Sequence, residues 1–173
     1  MITNSTTDNQ GSISSPQVFE KIVNFFTEVE WPFFVIEGQR TLRLNYRGNN
    51  GRFTCSAQFL EERNYFMFYS FSPVSVPEHK RLIVAEFLTR ANYRLIFGNF
   101  EMDFTDGEVY YRTSLNVEGI NLDSARISHV VYTNVSMMDR YLPGIMQVIY
   151  SNVSAADAIA QIEGYNQLTH ESN

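Results

Sequence analysis

Cysteine occurs once in these 173 residues, as Cys55, and tryptophan once, as Trp31. A single thiol makes neither an internal disulfide framework nor a cysteine-based zinc cluster, so cohesion must come from a core. Histidine is almost as scarce. His79, His129 and His170 stand apart, without the close pair of a local metal motif such as H-E-x-x-H. The longest apolar stretch, near "WPFFVI", falls far below the roughly 20 residues that cross a bilayer. The opening "MITNSTTDNQGSISS" has no basic start and no apolar run, so neither a secretory signal nor a myristoylation site is expected. A cytoplasmic location without membrane association is the expectation. Under it, the Asn-x-Ser/Thr matches at Asn4, Asn134 and Asn152 carry no glycans.

Positive charge is also short. Thirteen Lys and Arg against nineteen Asp and Glu leave a net charge of −6, which opposes docking on a phosphate backbone. The basic residues are scattered singly, and "RGNNGRF" lacks the aromatics of an RNA-binding strand and reads as a turn. Nucleic acid is therefore not an expected partner. No G-x-S-x-G, phosphate-binding glycine loop or dinucleotide fingerprint occurs. No catalytic residue, cofactor site or metal site is expected.

Hydrophobic residues, by contrast, make up 44% of the chain and aromatics 14%, with 14 Phe and 10 Tyr. A chain of this size buries roughly 70% of its unfolded surface on folding, enough for a core without staples. Met1 to Ser14 is almost wholly polar and is expected to be a disordered tail. Residues 15–168 are expected to form one domain, with a frayed end at 169–173.

Ser15-Pro16 suits an N-cap and first helical position, and Val18, Ile22, Phe25, Phe26 and Val29 recur at helical spacing up to about Glu30. Trp31-Pro32 stops the helix. From Phe33 to Phe71 the period is two: Leu42, Leu44 and Tyr46 alternate with polar residues, as do Phe53, Cys55, Ala57 and Phe59. Between these runs, alternation allows a two-residue turn at Asn49-Asn50 or Asn50-Gly51, and turn chemistry favours the second. "YFMFYSF" is apolar on both faces and reads as a well-covered strand. Glu78–Asn92 reads as a second helix with Ile83, Val84, Phe87, Leu88 and Ala91 buried.

"GNFEMDFTDGEVYYRTSLNV" places Glu101, Asp103, Asp106 and Glu108 within eight positions. A type I′ turn centred on Asp106-Gly107 would set Phe104 against Val109 and Phe100 against Thr113 on a dry face. The wet face would then pair Asp103 with Tyr110, Glu101 with Arg112 and Phe97 with Asn116. The acids are thus the solvated side of a sheet, and their spacing fails the calcium-loop pattern. A long helix follows from Asp123 to Tyr150, in which the apolar phase survives Pro143-Gly144, implying a kink rather than a break. A last helix runs from Ser154 to about Gln167, with Ser154 as cap. The fold class is α+β, an antiparallel sheet with helices packed on it, in the order α-β-β-β-β-α-β-β-α(kinked)-α.

Cys55 has inward parity and reads as an inert core thiol. Glu61-Glu62 falls at a strand end, where charged residues usually sit. Met137, Met138 and Met146 read as fillers of core gaps. The motifs "TLRLNYRGNNGRFTCSAQ", "FYSFSPVSVPEHKR", "AEFLTRANYRLIFGNFEMDFTDGEVYYRTS" and "MDRYLPGIMQVIY" resemble the YbjN-like bacterial family of sensory transduction regulators, and its cyanobacterial branch in particular. The resemblance runs from about Phe19 to Ile162. It implies a fold similar to that of type III secretion chaperones, which are small, acidic, non-enzymatic homodimers that grip extended segments of other proteins. It implies no catalytic residues.

Two functions follow as expectations. One is a non-catalytic protein- or peptide-binding module, chaperone-like or regulatory and homodimeric, with Phe97, Tyr110, Tyr65 and Tyr69 as its partner-binding aromatics. The other is a metal-dependent hydrolase built on the scattered carboxylates and His79 or His129.

Overall fold

The computed structural model describes residues 15–93 and 95–170, so the tail expected at 1–14 and the last three residues lie outside it. Four helices and six strands follow in the expected order: α1 (Ser15–Glu28), β1 (Phe33–Val35), β2 (Thr41–Arg47), β3 (Arg52–Leu60), β4 (Tyr65–Phe71), α2 (Arg81–Asn92), β5 (Asn99–Met102), β6 (Val109–Asn116), α3 (Ser124–Tyr150) and α4 (Ala155–His170). The strands form one antiparallel sheet in the order β1-β2-β3-β4-β6-β5.

The helices stack on one face of this sheet. From that side, Phe26 packs against Phe68, and Asn134 of α3 donates to the carbonyls of Phe68 and Tyr111 at 2.8 and 2.9 Å. Leu42, Leu44, Phe53, Cys55, Phe66, Phe68, Phe100, Val109 and Tyr111 supply the sheet's share of the core and are nearly or fully buried. Val84, Phe87, Leu88 and Ala91 are the buried stripe of α2, as their spacing requires. Met138 is fully buried, and Met137 and Met146 pack against the core.

Helix ends follow local chemistry. α1 stops in a Schellman motif: Glu30 takes φ 53°, its amide bonds the Thr27 carbonyl at 3.1 Å, and the Trp31 amide bonds that of Phe26 at 3.0 Å. Asp123 caps α3 by accepting from the Arg126 amide at 2.8 Å. Ser154 caps α4, accepting from the Asp157 amide at 3.1 Å. α3 runs unbroken through Pro143. Gly144 lets α2 and α4 approach there, because a Cβ would lie 2.5 Å from Ile162 Cδ1 and 2.6 Å from Phe87 Cζ.

Both hairpin registers differ from the expected ones. In the first, Arg47 pairs with Arg52 and the Gly48 amide bonds the Gly51 carbonyl, so Asn49-Asn50 forms the turn rather than Asn50-Gly51. Neither Asn50 nor Gly51 has the positive φ that a type I′ turn demands. The preference fails because the turn is held from outside, by Asp139. In the second, Asp106-Gly107 is not the centre of a two-residue turn. Phe100 pairs with Tyr111 and Glu101 with Tyr110, and the Asp103 amide bonds the Glu108 carbonyl, leaving a four-residue loop of Phe104 to Gly107. The Asp103 and Asp106 carboxylates accept from the amides of Thr105 and Glu108, stabilising the wider loop. Gly107 backs onto Val76, where a Cβ would overlap the Val76 backbone. The register moves by two, an even number, so every paired residue keeps its face. Phe104, however, leaves the dry face and is 52% exposed in the loop.

Candidate functional site

The sheet face opposite the helices is the candidate site. Odd positions of β4 and even positions of β6 lie on it: Phe71 opposes Tyr110, Tyr69 opposes Arg112, Met67 opposes Ser114 and Tyr65 opposes Asn116. These side chains are half-buried or exposed, whereas Phe66, Phe68 and Ser70 on the helix side are fully buried. "YFMFYSF" is therefore covered by helices on one face only, a correction to the well-covered strand. Apolar side chains on the open face shield one another.

Three rings form its centre. Tyr69 lies 6.1 Å from Phe71 and 5.6 Å from Tyr110, and Phe71 lies 5.9 Å from Tyr110, each centroid to centroid. Arg43 reaches over Phe71 at 5.5 Å, a cation–π contact. The rim is polar and already paired. Glu101 accepts from Tyr110 Oη at 2.8 Å, from Arg112 Nε at 2.7 Å and from Asn99 Nδ2 at 2.8 Å. The expected Glu101–Arg112 pair forms, on the diagonal rather than directly across the ladder. Desolvation, followed by the bond to Glu101, pushes the Tyr110 hydroxyl up to about 12. Tyr110 is thus a neutral donor and an apolar surface, not a base.

Of the four aromatics singled out in the sequence, Tyr65, Tyr69 and Tyr110 share this face and Phe97 does not. Phe97 precedes β5, and Gly98, with φ +83°, breaks the alternation that would have set it opposite Asn116 on the face of Tyr110. It packs instead on the helix side, 5.0 Å from the His129 ring, in a small apolar recess with Leu115 and Val130. Phe71, Met67 and Arg43 belong to the site and were missed. The signal was present: they have the parity of Tyr69 and, through the β3 register, face outward together.

The residues of the hydrolase alternative do not converge. His79 is exposed in the turn before α2, His129 is exposed beside Phe97, and Glu61 pairs with Arg40 at 2.6 Å. Among the described residues, no three of His, Cys, Asp and Glu gather where a metal ion could be held. Burial pushes the Cys55 thiol up to about 12, which keeps it from acting as a nucleophile. No helix among the described residues is long and apolar enough to cross a membrane.

The model of the YbjN family, described as "Putative bacterial sensory transduction regulator", matches residues 19–146. A search of curated protein sequences finds no match. The fold is similar to the crystal structure of YbjN from E. coli, with 14% identity, 76% of this chain and 87% of that chain covered, and a TM-score of 0.53. It is similar also to the ExsC–ExsE complex, with 11% identity over 76% of this chain and 96% of that chain at a TM-score of 0.53. The HopA1–SchA chaperone–effector complex aligns at 14% identity over 74% and 95% of the two chains, with a TM-score of 0.47. The architecture is α+β and type III secretion chaperone-like.

Proposed function

We propose that this chain, which belongs to the YbjN family, is a non-catalytic protein- or peptide-binding module of chaperone-like or regulatory type, acting in the cytoplasm. The observation that carries this reading is the open sheet face, where Tyr69, Phe71 and Tyr110 form a contiguous aromatic surface with Tyr65 and Met67 alongside. Tyr, Phe, Met and Arg are the side chains enriched where proteins meet, and an apolar surface with a paired polar rim is what such contacts need. The likeness of fold to ExsC, whose structure is that of a complex with ExsE, supports a protein ligand. Fold alone does not establish function, so the surface carries the inference.

Homodimer formation is part of the proposal. The edge of β5 is closed by Asn92, whose side-chain amide bonds both the amide and the carbonyl of Phe100 at 2.8 and 3.0 Å. β1, at the other edge, has no such cover among the described residues, and Phe34 and Val35 on it are 72% and 55% exposed. A second copy would extend the sheet there.

The test is a pull-down from the native cell with the wild-type chain and with Tyr69→Glu/Tyr110→Glu, together with light scattering. A defined set of proteins retained by the wild type and lost from the folded variant is expected, on a dimeric bait. The same proteins on both baits would remove the surface from consideration. A strict monomer that retains nothing would remove the function.

A further inference from the structure

Three arginines of the β2–β3 hairpin lie at one end of the open face. Arg43 and Arg47 are on β2, four residues and so about 13 Å apart along the strand, and Arg52 is directly across the ladder from Arg47. All three are exposed, and none enters an ion pair among the described residues. With Phe71 they line a cleft of about 770 Å³ in which Glu108 is the only acid. Like charges directly opposite on a ladder repel, and Arg47 and Arg52 stand so opposed. On a chain with net charge −6, this concentration of positive charge is local and deliberate in effect.

We propose that this cleft takes acidic side chains of an extended polypeptide, whose apolar residues lie on Tyr69, Phe71 and Tyr110. The proposal rests on the binding-module reading and specifies the chemistry of the partner. Planar guanidinium forks match carboxylates bidentately, and an acid bound between Arg47 and Arg52 would turn their repulsion into attraction. Strand alternation fits the occupant too. An extended segment lying on the face turns every second side chain toward it, so acids over β2 and β3 and apolar groups over β4 and β6 are presented by one strand-like piece. A nucleic acid fits less well, because its charges recur every few ångströms and would run past three arginines on a chain of net charge −6.

The experiment uses the full chain and fluorescence anisotropy with three labelled ten-residue peptides, in which serine fills every second position and the positions between carry tyrosine in one half and glutamate, glutamine or lysine in the other. At low salt the glutamate peptide is expected to bind about tenfold more tightly than the glutamine peptide, a preference lost at high salt. Arg47→Gln/Arg52→Gln should erase the preference. Arg52→Glu should shift it toward lysine, a reversal that misfolding cannot mimic. Equal affinities for the glutamate and glutamine peptides, failure of the glutamate peptide to bind, or a preference that survives the arginine substitutions would each overturn the proposal. So would displacement by an oligothymidylate as effective as that by excess unlabelled glutamate peptide. If the wild type binds the glutamate and glutamine peptides equally and Tyr69→Glu/Tyr110→Glu abolishes the binding of both, the acidic partner is rejected and the binding module stands.

Discussion

Asp139 of α3 bonds Asn50 of the β2–β3 turn three times: its Oδ1 accepts the Asn50 amide at 2.9 Å, and its main-chain carbonyl and Oδ2 accept from Asn50 Nδ2 at 3.0 and 3.4 Å. The same Oδ2 takes the Asn49 amide at 3.0 Å. Pro143, four residues on, has no amide to offer the Asp139 carbonyl. The bond that proline removes from the helix is thus supplied by the neighbouring hairpin. Gly48 and Gly51 make the approach possible. A Cβ on the first would overlap the Asp139 carboxylate, and one on the second would lie 2.5 Å from Leu142 Cδ2.

Asp139→Ala is expected to destabilise the fold by about 2–3 kcal/mol, since bonds to a charged acceptor are lost in a part-buried place. Gly48→Ala alone should cost about 1–3 kcal/mol by overpacking. In the Asp139→Ala background the clash has no partner, so the two effects should fall well short of adding. Urea unfolding of the four proteins in the cycle measures the coupling. Additivity would mean that the two side chains do not meet.

Glu101 gives a pH dependence of known sign. Desolvation acts to raise its pKa, but bonds from Asn99, Tyr110 and Arg112, with the Arg112 charge, outweigh it and hold the carboxyl below its ordinary value. A depressed folded pKa stabilises above the unfolded value and ceases to do so as pH falls through the folded one. Glu101→Gln should therefore cost about 0.5–1 kcal/mol at neutral pH, a modest figure because the pair is partly exposed. The difference should shrink as pH falls through the ordinary carboxyl range and vanish only below the depressed folded value. Chemical unfolding at several pH values checks it.

The thiol of Cys55 is fully buried, 3.4 Å from the Ser70 hydroxyl, and burial lifts it to about 12. A thiol-specific reagent at pH 8 should react with it only as fast as the protein opens, and at once in denaturant. The folded pKa lies above the unfolded one, so its contribution is intact below about pH 8.5 and declines as pH rises beyond that. Rapid labelling of native protein would contradict the burial.

Glu30 occupies a left-handed position that favours glycine, at the C-terminus of α1. Glu30→Gly is expected to stabilise by about 1 kcal/mol, with the Schellman bonds retained. Thermal denaturation measures the gain, and a loss would show that the Glu30 side chain has a role the backbone does not reveal.

Periodicity made much of this legible. Apolar steps of three and four marked α1, α2 and α3, and strict alternation marked β2, β3 and β6, because burial on one side enforces those spacings wherever an element has a single wet face. It also set Tyr65, Tyr69 and Tyr110 on common parities. It failed at Phe97, because one glycine with positive φ inverts the parity of whatever precedes it. It left the arginine cleft unseen, because Arg43, Arg47 and Arg52 meet Phe71 only through the lateral order of strands.

Residue spacing alone, then, determined the element order, the inward and outward sides of the strands, and the persistence of α3 through Pro143. Tertiary structure decided the two turns and the site. A turn's register responds to whatever grips it, here Asp139 from a helix ninety residues downstream and Val76 behind Gly107. The site exists only once β2, β3, β4 and β6 lie side by side, because lateral strand pairing, which no local spacing encodes, is what brings its charges to its rings.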